Sequence, residues 1–183
     1  MPLQNSAKRA ALFGALLALS VALSVAESML GALLPLPVPG VKLGLANIVS
    51  MFLLSYFPVR AALAVGILRA LISSFFVGGI GMFAYSAPGV ILSILAMYGA
   101  MRGIKALSLT GISMIGACVH NLAQVSVAVL ITAETGLFYY AFVLMIVGAV
   151  SGTLTGAVAR LTLPRAAVVL NLAQKQFSEV QNV

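Results

Sequence analysis

The sequence predicts an all-α fold, a polytopic membrane protein built as a six-helix transmembrane bundle, and three observations carry that prediction. Of the 183 residues, 62% are hydrophobic and 7% are charged, where a soluble domain carries about 25% charged residues. The apolar residues gather into six segments, most of them close to the ~20 residues that a helix needs to cross a bilayer. The basic residues punctuate those segments instead of forming one water-facing stripe, so the formal net charge of +7 does not make a nucleic-acid surface.

The segments cover residues 10–34, 43–57, 61–77, 82–101, 107–133 and 137–161. The first is preceded by Lys8 and Arg9 and contains "SVA" at Ser24–Ala26, features of a cleavable leader, but its apolar run continues to Leu34 and suits a span better. The second and third are short, with only Pro58–Arg60 between them, and form a tight helical hairpin broken at Pro58. A cytoplasmic N-terminus puts Lys8, Arg9, Arg60, Arg102, Lys105, Arg160, Arg165 and Lys175 on one side, leaving Lys42 in an outer loop and Arg69 within a span. Lys and Arg accumulate in cytoplasmic loops, so both termini are expected in the cytoplasm. The tail, residues 165–180, sets Val168, Leu172 and Phe177 among polar residues, as an amphipathic helix at the inner surface does. No long linker or repeat divides the chain, which reads as a single transmembrane domain over residues 1–183.

The same composition argues against several chemistries. The three acidic residues, Glu27, Glu134 and Glu179, are dispersed, whereas a magnesium-dependent site gathers two or more carboxylates. There is no phosphate-binding GxxxxGK[ST] loop and no HExxH, His120 has no carboxylate in its own span, and Cys118 is the single cysteine. The expectation is a protein that is not an enzyme, with no metal and no cofactor, whose partners are the bilayer, a small-molecule ligand and other proteins.

What remains is a set of polar residues at computable depths. At about 1.5 Å per residue, Glu27 falls in the outer half of span one, Asn47 about one turn below the outer surface, Ser86 at a similar level in span four, and His120, Asn121 and Gln124 from the middle to the outer half of span five. Lys42 stands just above that layer and Arg69 below it, near mid-membrane. Each has a plainer role: Ser86 can bend its helix two residues before Pro88, the amides can join helices, Glu27 and Arg69 can form a buried ion pair, and Lys42 can anchor at the interface. Taken together they favour a ligand site that opens outward, because intramembrane ionisable residues are expensive to bury. "PVPG" at Pro37–Gly40 ends the first crossover, Gly40 and Gly44 permit close backbone approach, and the N-terminus of span two offers N–H donors to an anion, with Lys42 adding charge and Asn47 direction. On span one, Ala11, Ala15, Ala18 and Ala22 recur at three and four, a stripe on which a second helix can approach closely, within the chain or on a partner.

Three stretches carry a family resemblance. "PGVKLGLANIVSMFLL" at Pro39–Leu54 closely resembles the signature of the Gx transporter family, often labelled heptaprenyl diphosphate synthase component I, and "SAPGVILSILAM" at Ser86–Met97 and "HNLAQ" at His120–Gln124 are similar to its later motifs. That family resembles the six-helix substrate-binding S-components of energy-coupling factor transporters, whose first helix carries a small-residue stripe that Ala11 and Ala15 fit. An isoprenoid phosphate is the favoured ligand, because an anion site under an apolar bundle would satisfy both its ends. The resemblance, which does not fix the ligand, implies a bacterial cytoplasmic membrane, a membrane coupling subunit and ATPase subunits as partners, and uptake from outside. It also leaves open an accessory role in a flavin or quinone electron-transfer assembly, or a noncatalytic partnership with a prenyl diphosphate synthase.

Overall fold

The computed structural model describes residues 6–32 and 44–169. They form six α-helices: α1 (Ser6–Ala32), α2 (Asn47–Tyr56), α3 (Val59–Val77), α4 (Ile80–Gly103), α5 (Leu109–Thr132) and α6 (Phe138–Val169), with a 3-10 turn at Thr135–Leu137 before α6. Five of them are long and apolar enough to cross a membrane; α2, at ten residues, is the exception. The described residues are thus those of a multi-pass, all-α membrane protein.

The helices pack in chain order, α1 on α3, α3 on α4, α4 on α5 and α5 on α6, while α2 touches each of these five. A ten-residue helix rises about 15 Å, half the roughly 30 Å of a bilayer's hydrocarbon. Span two was expected over 43–57, with Asn47 one turn below the surface; instead, helix begins at Asn47, and that residue sits about halfway down the bundle. Eight of the ten α2 residues are buried, and Met51 and Leu53 belong with Ile94, Met97 and Leu163 to the largest buried side chains of the core. Aromatic contacts fix its lower end: Phe13 meets Phe57 edge-on at 5.1 Å, and Tyr56 donates from its hydroxyl to the Leu163 carbonyl at 3.3 Å. Pro58 then breaks the chain, in extended conformation, before α3.

The other ends also follow local chemistry. The Ser108 hydroxyl accepts from the Gly111 N–H at 3.2 Å and so caps α5. Helix α6 runs eight residues past the expected boundary at 161, through Pro164 to Val169. Of the expected amphipathic tail, residues 165–169 belong to α6 and residues 170–180 lie outside the described set. Exposed Arg60, Arg102, Lys105, Arg160 and Arg165 all fall at the end of the bundle where α2 meets α3 and α4 meets α5, called here the basic end. Glu134 lies at the far end.

Packing of α5 on α6 depends on missing side chains. Gly148, Gly152 and Gly156 recur every four residues on α6, and a Cβ at Gly152 or Gly156 would meet Met114 Cα at 2.7 Å or Thr110 Cα at 2.5 Å. Such approach is the means by which membrane helices gain contact when lipid is as apolar as they are, and Ser113 and Thr155 add a buried hydrogen bond of 2.8 Å across the seam. Gly156→Ala should therefore lower the melting temperature in detergent, at a cost of about 1–3 kcal/mol for overpacking against backbone. Gly99→Ala, whose Cβ meets nothing within 4 Å, should leave it unchanged or slightly higher.

Candidate functional site

The inner end of α2 builds the site. Gly44 takes φ of 87°, in the left-handed region that favours glycine, and the turn it starts is closed by the Asn47 N–H donating to the Gly44 carbonyl at 2.9 Å. A side chain at Gly44 would also press on Asn47 Nδ2, 3.3 Å from the position of its Cβ. The Leu45 N–H donates to Glu27 Oε1. Glu27 on α1, only 1% exposed, is in turn coupled electrostatically to Arg69 on α3, which is 3% exposed. A carboxylate at a helix N-terminus offsets the dipole and takes up an orphan donor. Glu27 thus engages the backbone two residues before α2, while the N–H groups of Asn47 and Ile48 are taken by the Gly44 and Leu45 carbonyls.

Two further groups adjoin this pair. Ser24 donates to Ser73 at 3.4 Å, and Ser28, Ser73, Ser74 and Ser86 line one small cleft between α1, α3 and α4. Ser86 therefore sits with hydroxyls of the other two helices, which sequence reading did not gather, although Ser24 and Ser28 share a face one turn apart. On α5, His120, Asn121 and Gln124 are all buried. The His120 ring fits against α4 because residue 89 is glycine, whose Cβ would lie 3.1 Å from the ring; Pro88 beside it leaves α4 without one backbone donor. Asn121 donates through Nδ2 to the Leu144 carbonyl at 2.9 Å, joining α5 to α6. Ala117 lies between the two asparagines, near the Cβ positions of both Gly44 and Gly148.

Several polar atoms here are buried without a hydrogen-bond partner among the described residues: Asn47 Nδ2, Asn121 Oδ1, both amide atoms of Gln124, Arg69 Nε and Ser93 Oγ. Ser93, one turn below Gly89 on α4 and near Gly116, was missed from sequence, where a lone serine in an apolar span has no distinguishing signal. Lys42 lies outside the described residues. Arg69, expected below the layer, belongs to it through Glu27. Ala11, Ala15, Ala18 and Ala22 are all exposed on α1, so the stripe is not consumed by packing among the described residues. Among the described residues no His, Cys, Asp and Glu group could hold a metal ion.

Fold and site together define a multi-pass membrane protein with a buried, mainly amide-lined polar layer around the start of a half-length helix. The chain belongs to the family described as heptaprenyl diphosphate synthase component I, whose family model matches residues 16–162. No curated protein and no solved structure matches it.

Charge and hydrogen bonding can be separated by substitution. Glu27→Gln keeps an acceptor for Leu45 but leaves Arg69 without its carboxylate, and should cost about 3–5 kcal/mol of thermal stability; adding Arg69→Met should restore most of it. Gln124→Leu, removing two unmade hydrogen bonds, should leave stability unchanged or raise it by up to about 1 kcal/mol. A marked loss on Gln124→Leu would make that amide a structural link.

Proposed function

We propose that this protein is the substrate-binding membrane subunit of an uptake transporter of the energy-coupling-factor type, taking a small amphiphile from the side opposite its basic end. The carrying observation is the buried amide set of Asn47, Asn121 and Gln124, with donor and acceptor atoms that no described residue satisfies. Such groups cost about 1–3 kcal/mol each when left unpaired, a cost that a ligand's polar group would offset. An isoprenoid phosphate is the favoured ligand: the family description refers to a prenyl diphosphate, and the apolar bundle suits a hydrocarbon chain. Because Glu27 already engages the start of α2, we assign the counter-charge for the phosphate to Lys42. The concentration of exposed Arg and Lys at the basic end supports a cytoplasmic position for that end.

A second reading, a noncatalytic membrane partner of a prenyl diphosphate synthase, is favoured by the family description. Either role needs a protein partner, and the exposed small-residue face of α1 suits one. ATP hydrolysis, in the first reading, comes from partner subunits.

Mass spectrometry of the purified protein tests the choice. A prenyl phosphate recovered in near-stoichiometric amount is expected; recovery of a prenyl synthase without any ligand would favour the second reading. Lys42→Gln should weaken an anionic ligand by about 5- to 150-fold, the effect of 1–3 kcal/mol, and leave the corresponding neutral alcohol nearly unaffected; equal losses would remove Lys42 from charge recognition. With Cys118 replaced, a cysteine at Thr135 should react with an impermeant reagent in intact cells and one at Lys105 should not. Ala15→Trp should insert normally yet lose its membrane partner in pull-down, and unchanged recovery of the partner would rule out docking through α1.

A further inference from the structure

A second concavity lies at the opposite end from the polar layer. Leu54–Phe57 at the foot of α2, Pro58 and Val59 in the turn, and Tyr98, Met101 and Arg102 at the foot of α4 line an open cleft of about 330 Å³, within the roughly 300–1,000 Å³ of small-ligand sites. The Arg102 guanidinium is held over the Tyr98 ring, 5.0 Å from its centroid, so the charge is positioned at the cleft instead of trailing in solvent. Arg60 follows the cleft's turn directly, and Lys105, Arg160 and Arg165 are exposed at the same end. No acidic residue lies at that end among the described residues, Glu27 being buried in the polar layer and Glu134 at the far end. The cleft wall is apolar from Leu54, Phe57, Pro58 and Met101, with an arginine at its mouth.

We propose that this cleft binds the phosphate headgroup of an anionic phospholipid from the surrounding bilayer. Acyl chains of such a lipid continue along the apolar wall, and the phosphate meets Arg102 in the bidentate geometry that a guanidinium offers. A basic pocket between spanning helices at a membrane surface suits anionic headgroups, with about 1 kcal/mol from each basic residue near the surface. The site is separate from the ligand layer and does not depend on the transport reading.

The test is lipid selection by purified protein in mixed micelles of phosphatidylglycerol and phosphatidylcholine, read by native mass spectrometry. Wild type should retain phosphatidylglycerol about fivefold over phosphatidylcholine, the preference that about 1 kcal/mol gives. Arg102→Gln should abolish the preference, and Arg165→Gln, at the same end but outside the cleft, should keep it. Ser55→Phe, which fills the cleft and removes no charge, should also abolish it, and serves if Arg102→Gln does not fold. No preference in wild type, equal loss from Arg102→Gln and Arg165→Gln, or retention in Ser55→Phe would each overturn the proposal. Displacement of the lipid by millimolar inorganic phosphate or pyrophosphate would assign the site to a soluble anion and overturn it as well.

Discussion

A helix that stops halfway through a bundle leaves its first N–H groups in an apolar interior with no water to receive them. At the start of α2 the carbonyls of Gly44 and Leu45 take the N–H groups of Asn47 and Ile48, and the carboxylate of Glu27 takes the Leu45 N–H just before the helix; much of the remaining arrangement follows. A buried carboxylate needs a counter-charge, which Arg69 supplies from α3. Bringing the backbone into reach of α1 needs a turn with positive φ, which Gly44 supplies. Because α2 is enclosed by the other five helices, its side chains are also the centre of the apolar core. One short helix therefore fixes both the packing below Asn47 and the polar chemistry around it.

Buried polar groups in this protein fall into two kinds. Ser113 with Thr155, and Asn121 Nδ2 with the Leu144 carbonyl, have partners on neighbouring helices that fix their positions. Gln124, Asn47 Nδ2, Asn121 Oδ1 and Arg69 Nε have none among the described residues. The walls around them are held by close helix contact, most of all where the α6 glycines meet α5 backbone. A rigid frame carrying unsatisfied hydrogen-bonding atoms is suited to recognition, because little ordering entropy remains to oppose a ligand.

Sequence reading recovered the helical class, the number of helices and their approximate limits, because long apolar runs and their basic punctuation report directly on a bilayer. It misjudged α2. A run of apolar residues from Leu43 to Phe57 has the same appearance whether it begins at the surface or in the middle of the bundle, since hydropathy carries no information on where helix starts. The same reading put Asn47 a turn inside its helix, whereas it is the first helical residue. Glu27 and Arg69 were legible as costly buried charges and as a candidate pair, but the acceptance of the Leu45 N–H by Glu27 was not, because it joins residues 18 apart across a crossover. The glycines at 148, 152 and 156 show a four-residue spacing, yet only the fold reveals that they face α5.

The shortness of α2 also bears on how the chain enters its membrane. A ten-residue helix that includes Asn47, Ser50 and Ser55 is too short to partition into a bilayer as an independent transmembrane unit, and its N-terminal donors would be stranded in lipid. The tight turn at Pro58 joins α2 directly to α3, which has 19 residues and the length to insert alone. Placing α2 in the membrane therefore depends on its neighbours: α3 has the length to span, and α1 carries Glu27, which accepts from the Leu45 N–H just before α2.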